Sequence, residues 1–210
     1  MRKAIVSILF WSVAGLAGSP GAISLPKPSA KGGMPLMQAL SERQSTREFS
    51  TDKLSPAILS NLLWAAYGIN RPDGKRTAPS AVNRQSIDIY AVMADGAYVY
   101  NAKQHSLDGV ASGDLRALAG RQAFVAEAPL NLVYVADYSR FANTPDDDKA
   151  LYAGAETGFI GQNVYLFCAS EGLVTVIRAM IDRPALAKAL QLRPDQKIIL
   201  SQTVGLPKRK

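Results

Sequence analysis

Residues Lys149–Ser170 (KALYAGAETGFIGQNVYLFCAS) constrain the fold more than any other stretch of the chain. They are apolar on nearly every side of a helix, so that helix must be covered and central rather than laid on a surface. Asp146, Asp147 and Asp148 come just before and suit the positive end of a helix dipole. Gly172 follows and ends the run. Glu156, Gln162 and Asn163 interrupt it, which argues against a membrane span. Gly154, Gly158 and Gly161 share one face. Each glycine costs a helix roughly 1 kcal/mol relative to alanine, so three on one face imply a close approach by another backbone or a flat ligand. A tight helix pair with no ligand would account for them equally well.

At 210 residues, 48% hydrophobic and 20% charged, the chain suits one soluble domain built around such a helix. Leu36, Met37, Ala39 and Leu40 predict a short helix over Pro35–Glu42. Ser55-Pro56 begins a second one, with Ser as N-cap and Pro at the first helical position. Ile58, Leu59, Leu62, Leu63 and Ala66 keep its apolar spacing, and Gly68 is expected to stop it in the usual left-handed role. Ile69–Arg84 is a long polar loop, of the kind that is functional or mobile. Ile87–Met93 alternates as a strand, Asp95-Gly96 turns, and Ala97–Tyr100 returns. Asp114–Leu118 reads as a short helix. Leu130–Ala136, Leu173–Ile177 and Lys197–Val204 read as further strands, and Asp182 caps a helix over Arg183–Leu190. Mixed helices and strands with an antiparallel hairpin place the chain in the α+β class. There is no repeat and no second domain.

The N-terminus carries an address. Arg2 and Lys3 precede the apolar run Ala4–Leu16, and small residues follow at Ala17, Gly18, Ser19, Gly21 and Ala22. This is the layout of a secretory signal peptide over residues 1–22, so the protein is expected to be exported, to a periplasm, with no stable membrane insertion once the signal is cut. Cleavage after Ala22 removes Arg2 and Lys3 and takes the net charge from +7 to +5. Residues 23–34, rich in Pro, Gly and Lys, read as a flexible lead-in to a single domain over 35–210. The remaining positive balance includes Lys208, Arg209 and Lys210 at the end. It lacks the basic stripe with interleaved aromatics that nucleic acid requires. Cys168, the sole cysteine, has no disulfide partner and reads as a small core residue. His105, the sole histidine, reads as part of a surface turn. No Cys/His cluster offers a metal site.

Ser41–Ser50 (SERQSTREFS) is the stretch most suited to binding. At helical spacing, Arg43 and Arg47 share one face of a helix end. With Ser41, Ser45 and Thr46 they could enclose a phosphate, since the guanidinium fork donates two parallel bonds. Taken alone, a solvated helix terminus would look the same.

In company, these pieces resemble the flavin-dependent nitroreductase family, near its SagB-type dehydrogenase branch. The resemblance rests on Arg43–Phe49, Leu54-Ser55, Leu62–Gly68, Arg76–Ala81 with Asn83 and Gln85, Gly161–Asn163, Ala169, Glu171–Leu173 and Val204–Pro207. It implies a nitroreductase-like fold, with a mostly antiparallel central sheet flanked by helices around the long buried one. It also implies a homodimer holding two FMN molecules at its interface. Arg43, Gln44, Ser45 and Arg47 would hold the FMN phosphate end, with help from Lys208 or Arg209. Pro79, Ser80 and Asn83 would reach the flavin of the partner subunit, and Gln85 would contact its ring or ribityl chain. The backbone of Ile177, Arg178, Ala179 and Met180 would lie beside the reactive flavin nitrogen. Members of the family often carry an acidic residue at the place of Ala179, so substrate orientation would differ here.

The implied activity is two-electron transfer through FMN to a nitroaromatic, quinone or similar small-molecule acceptor. Tyr67, Tyr152 and Tyr165 could shape the pocket, although such aromatics also serve as core. Arg178 could attract an anionic substrate, stabilise reduced flavin, or simply pair with a surface carboxylate. Family members commonly use NADH or NADPH, which are scarce outside the cytoplasm, so export leaves the donor open. Two alternatives stand beside this reading: a non-catalytic flavin-binding or electron-carrier protein, and a SagB-like oxidase of peptide azolines.

Overall fold

The computed structural model describes residues 18–208. The expected signal residues Arg2, Lys3 and Ala4–Leu16, and Arg209, lie outside them. Seven strands form one sheet in the order β1-β4-β3-β2-β5-β7-β6, every neighbouring pair antiparallel. They are β1 (Ile23–Ser24), β2 (Ile87–Met93), β3 (Gly96–Asn101), β4 (Ser106–Ser112), β5 (Leu130–Asp137), β6 (Val174–Arg178) and β7 (Gln196–Gly205). The helices are α1 (Leu36–Glu42), α2 (Pro56–Tyr67), α3 (Phe124–Glu127), α4 (Asp146–Ser170) and α5 (Arg183–Ala189).

β5 lies inside the sheet between β2 and β7, and all eight of its residues are buried. Its side chains alternate between two layers, as strand geometry requires. Leu130, Leu132, Tyr134 and Ala136 join the core beneath α2 and α4, and Val133 and Val135 join the one beneath α5. A strand covered on both faces reads as a continuous apolar run, which is why Leu130–Ala136 is recognisable in the sequence. Ser55 caps α2 by accepting from Ile58 N–H, and Leu62 and Leu63 are fully buried beneath it. Each such burial stabilises the fold by roughly 1.5–3 kcal/mol. Asp182 likewise caps α5 through Ala185 N–H.

Several expectations are corrected. Residues 23–34 are not a loose lead-in. Ile23 and Ser24 pair with Leu107 and Ser106, Leu25 is buried, and Ser60 Oγ donates to Pro26 O at 2.6 Å. Further on, Ser29 N–H reaches Asn61 Oδ1 at 2.8 Å and Met34 N–H reaches Ser170 Oγ at 2.7 Å. Gly68 ends α2 with φ of −72°, not in the left-handed region; a Cβ there would sit 2.4 Å from Trp64 Cδ1, so close approach explains it. His105 sits in the turn between β3 and β4, as expected, but it is a half-buried tie and not a surface residue. Its Nε2 lies 2.7 Å from Ser60 Oγ and its Nδ1 3.0 Å from Tyr100 Oη, and burial holds its pKa below the ordinary value. α4 is buried along one side only, and Leu151, Tyr152 and Phe159 are exposed on the other. Cys168 is a core residue, as expected. Among the described residues no helix is long and apolar enough to cross a membrane, and no metal-ligating cluster occurs.

Candidate functional site

α1 ends at Glu42, and Arg43 leaves it with ψ of 120°. The chain then runs beside β6, the outermost strand, where Thr46 N–H donates to Thr175 O at 3.0 Å. Arg43 is the C-cap of α1, its N–H donating to Ala39 O at 3.0 Å, but residues 44–47 are non-helical, so the two arginines do not share a helix face. The unpaired edge of β6 offers backbone acceptors, and pairing with them draws the segment out of helical geometry.

Tyr165, standing on α4, gathers this region. The Arg43 guanidinium lies over its ring, 5.2 Å from the centroid. Its hydroxyl is 2.8 Å from Ser45 Oγ and accepts the Ile177 N–H at 3.0 Å. The C-terminal segment runs past the same place: Pro207 bridges to Phe49, and Ser50 N–H donates to Leu206 O at 2.9 Å. Lys208 follows directly. Gln44 is exposed and lines a cavity of about 220 Å³ with Thr46, Tyr165, Thr175 and Pro207. Among the described residues, Arg43, Arg47 and Lys208 form no ion pair. Cations with hydroxyls beside them and no carboxylate partner form a donor set that fits a phosphate.

Ile177 and Arg178 diverge, as successive strand residues must. Ile177 packs towards α4, where a Cβ on Gly161 would lie 2.7 Å from its Cδ1. Close packing within the chain thus explains Gly161. Arg178 neither faces an open pocket nor pairs with a surface carboxylate. It is 8% exposed and donates to Ala119 O, to Asn131 Oδ1 at 2.7 Å and to Thr203 Oγ1 at 2.5 Å. Burial without a counter-ion pulls its pKa down to about 10. Ala179 and Met180 are exposed just beyond the strand end.

The other half of the expected site stands apart. Pro79, Ser80, Asn83 and Gln85 sit in the loop between α2 and β2, and Val82, Asn83 and Gln85 have φ of 45°, 58° and 50°. For β-branched Val82 that is a strained conformation, and the residue is 84% exposed. Gln85 is committed within the loop. Its Oε1 accepts from Arg76 Nε at 2.8 Å, and its amide donates to Gly74 O and Asn83 Oδ1, both at 3.0 Å. Both amide hydrogens are engaged within the loop, so the side chain braces it. Arg84 lies over the rings of Phe141 and Tyr152. Tyr152 and Tyr165 are thirteen positions apart on α4, about 20 Å at 1.5 Å per residue. The structure therefore brings Arg43, Ser45 and Ile177 to the Tyr165 half of α4, and Arg84 of the loop between α2 and β2 to the Tyr152 half.

Tyr165 becomes a hub only through its contacts. Glu156, a lone carboxylate in an apolar helix, is legible in the sequence as an argument against a membrane span but not as a tie between elements. It is 3% exposed and accepts from the Tyr67 hydroxyl and from Ser86. Burial, then the neighbouring carboxylate, push the Tyr67 phenol pKa up, so its proton stays.

A profile of the nitroreductase family matches residues 40–206. A protein of Methanocaldococcus jannaschii, described as a candidate nitroreductase, is 36% identical over 151 residues, which are 67% of this chain and 76% of that one. The crystal structure of a candidate nitroreductase from Ralstonia eutropha JMP134 is 39% identical, with a TM-score of 0.86 covering 99% of both chains. A candidate nitroreductase from Desulfovibrio desulfuricans, crystallised in complex with FMN, shares the fold at 21% identity. Its TM-score is 0.61, covering 85% of this chain and 89% of that one.

Proposed function

The chain belongs to the nitroreductase family, and from that premise we propose that it is an FMN-dependent oxidoreductase working as a homodimer with a site shared between two copies. The observation that carries the reading is the Arg43 guanidinium over Tyr165, whose hydroxyl meets Ser45, with Arg43, Arg47 and Lys208 all free of ion pairs among the described residues. Arginine forks and a hydroxyl would hold the phosphate of FMN. The FMN bound to a structural relative supports the choice of anion. Ile177–Met180, starting from the Tyr165-anchored N–H of Ile177, would set the backbone against which the ring rests. Pro79, Ser80 and Asn83, in the loop whose Arg84 lies over Tyr152 and not Tyr165, would serve the second copy's cofactor.

When bound, FMN supplies the two-electron chemistry, taking up a hydride and passing electrons to a nitroaromatic, quinone or similar acceptor. The chain's own residues bind and orient it. An NAD(P)H donor suits a cytoplasmic enzyme; an exported one would need another donor. The experiment is a spectrum and an assay on one preparation. We expect flavin absorbance at one FMN per chain and reoxidation of the reduced protein by a nitroaromatic. Failure to take up FMN would overturn the reading. Bound FMN that no acceptor reoxidises at a catalytic rate would leave the electron-carrier role.

A further inference from the structure

Glu156 is a buried carboxylate without a cation paired to it among the described residues. Such a group is expensive to bury, and an apolar side chain would fill the same space at less cost. Its partners show what it does. Oε1 accepts from the hydroxyl of Tyr67, the last residue of α2. Oε2 accepts from Ser86 N–H at 3.2 Å and from Ser86 Oγ at 2.5 Å. Ser86 immediately precedes β2. One carboxylate thus grips the residue before the 68–85 loop and the residue after it.

Other contacts fix the same two stems. Arg76 donates from Nη1 to Tyr67 O at 3.0 Å and from Nε to Gln85 Oε1 at 2.8 Å, and lies over the Tyr67 ring. Arg140 Nη1 donates to Gln85 O at 2.6 Å, and Asp137 N–H to Ser86 O at 2.8 Å. Between the fixed stems, the left-handed conformations of Val82, Asn83 and Gln85 persist only if the surroundings enforce them.

We propose that Glu156 is a positioning residue that clamps both stems of the 68–85 loop and presets the shape in which Pro79, Ser80 and Asn83 meet the flavin of a second copy. The clamp stands on the contacts above; its consequence for FMN rests on the function proposed in the preceding subsection. Glu156→Gln puts an amide N–H where Oε2 accepts from Ser86 N–H, or turns that N–H on the Tyr67 side. Tyr67→Phe removes a single oxygen and keeps the ring packed.

The test is hydrogen exchange on cofactor-free protein, read at Thr77 and Gln85, whose N–H groups bond to Gly68 O and Ser80 Oγ, both at 2.9 Å. Both variants should exchange there roughly ten-fold faster, the effect of losing a hydrogen bond to a charged group. Amides of residues 132–135 in the middle of β5, away from the Asp137 N–H that meets Ser86, should keep wild-type rates. The FMN dissociation constant should rise by a similar factor. Unchanged loop exchange would overturn the clamp, as would equal acceleration in the middle of β5, which would mark Glu156 as a general core residue. Faster loop exchange with unchanged FMN affinity would overturn the presetting. If Glu156→Gln does not fold, Tyr67→Phe carries the comparison. A wild-type protein that takes up no FMN would fail the proposed function, while the exchange rates would still decide the clamp.

Discussion

Arg47 is the cleaner of the two arginines to remove. Arg43 stacks on Tyr165, so its loss disturbs the hydroxyl that joins Ser45 to Ile177. Arg47 is exposed and forms no ion pair among the described residues. Arg47→Ala should leave thermal stability within about 0.5 kcal/mol. It should weaken FMN binding by about 1.5–3 kcal/mol, a ten- to hundred-fold rise in Kd. Flavin fluorescence titration measures this, and an unchanged Kd would remove Arg47 from the phosphate site. Arg178 shows the limit of reading such residues in sequence. Its type suggests anion binding, yet strand alternation turns it to the opposite face from Ile177, into a buried network with Asn131 and Thr203.

Among the elements, the sheet edge at β1 depends on one glycine. Pro20 O crosses Gly109 so closely that a Cβ there would lie 1.7 Å away. Gly109→Ala should therefore force Ser19–Leu25 off β4 in a chain retaining residues 18–22, at about 1–3 kcal/mol. In a chain beginning at Ile23 the obstructing carbonyl is gone and the same substitution should be nearly silent. Denaturation midpoints of the four proteins decide it, and equal losses in both backgrounds would refute the account. This edge was illegible in the sequence. β4, SLDGVAS, has no clean alternation, and a two-residue β1 has no pattern at all; both exist through long-range pairing. α2, α4 and β5 were legible because cap, dipole and burial act locally and leave their signature in residue type. The Arg43–Arg47 segment was legible as a cluster and illegible as a shape, since the free edge of β6, far along the chain, decides its geometry.

At the scale of the whole molecule, the exposed side of α4 calls for a cover. Leu151 and Phe159 are 65% and 48% exposed, and Val82 on the nearby loop is 84% exposed. Soluble monomers rarely leave apolar patches beyond a few hundred Å² uncovered. The proposed homodimer would bury this side and bring the Pro79–Gln85 loop of one copy towards the Arg43–Arg47 segment of the other. Gly158 allows a test in which fold and assembly respond with opposite signs. Among the described residues, and apart from its own helix backbone, nothing lies within 4 Å of a Cβ placed there, nor of one at Gly154, whereas Gly161 is tight against Ile177. Gly158→Leu should thus favour the isolated helix by up to about 1 kcal/mol, because leucine is the better helix former. In a dimer the same side chain would overpack the contact, at about 1–3 kcal/mol or more. The variant should fold with undiminished helicity, scatter light as a monomer, and lose FMN together with the partner. A monomeric variant that keeps one FMN per chain would place the whole site within a single copy. A dimer unaffected by leucine would move the interface away from this side of α4.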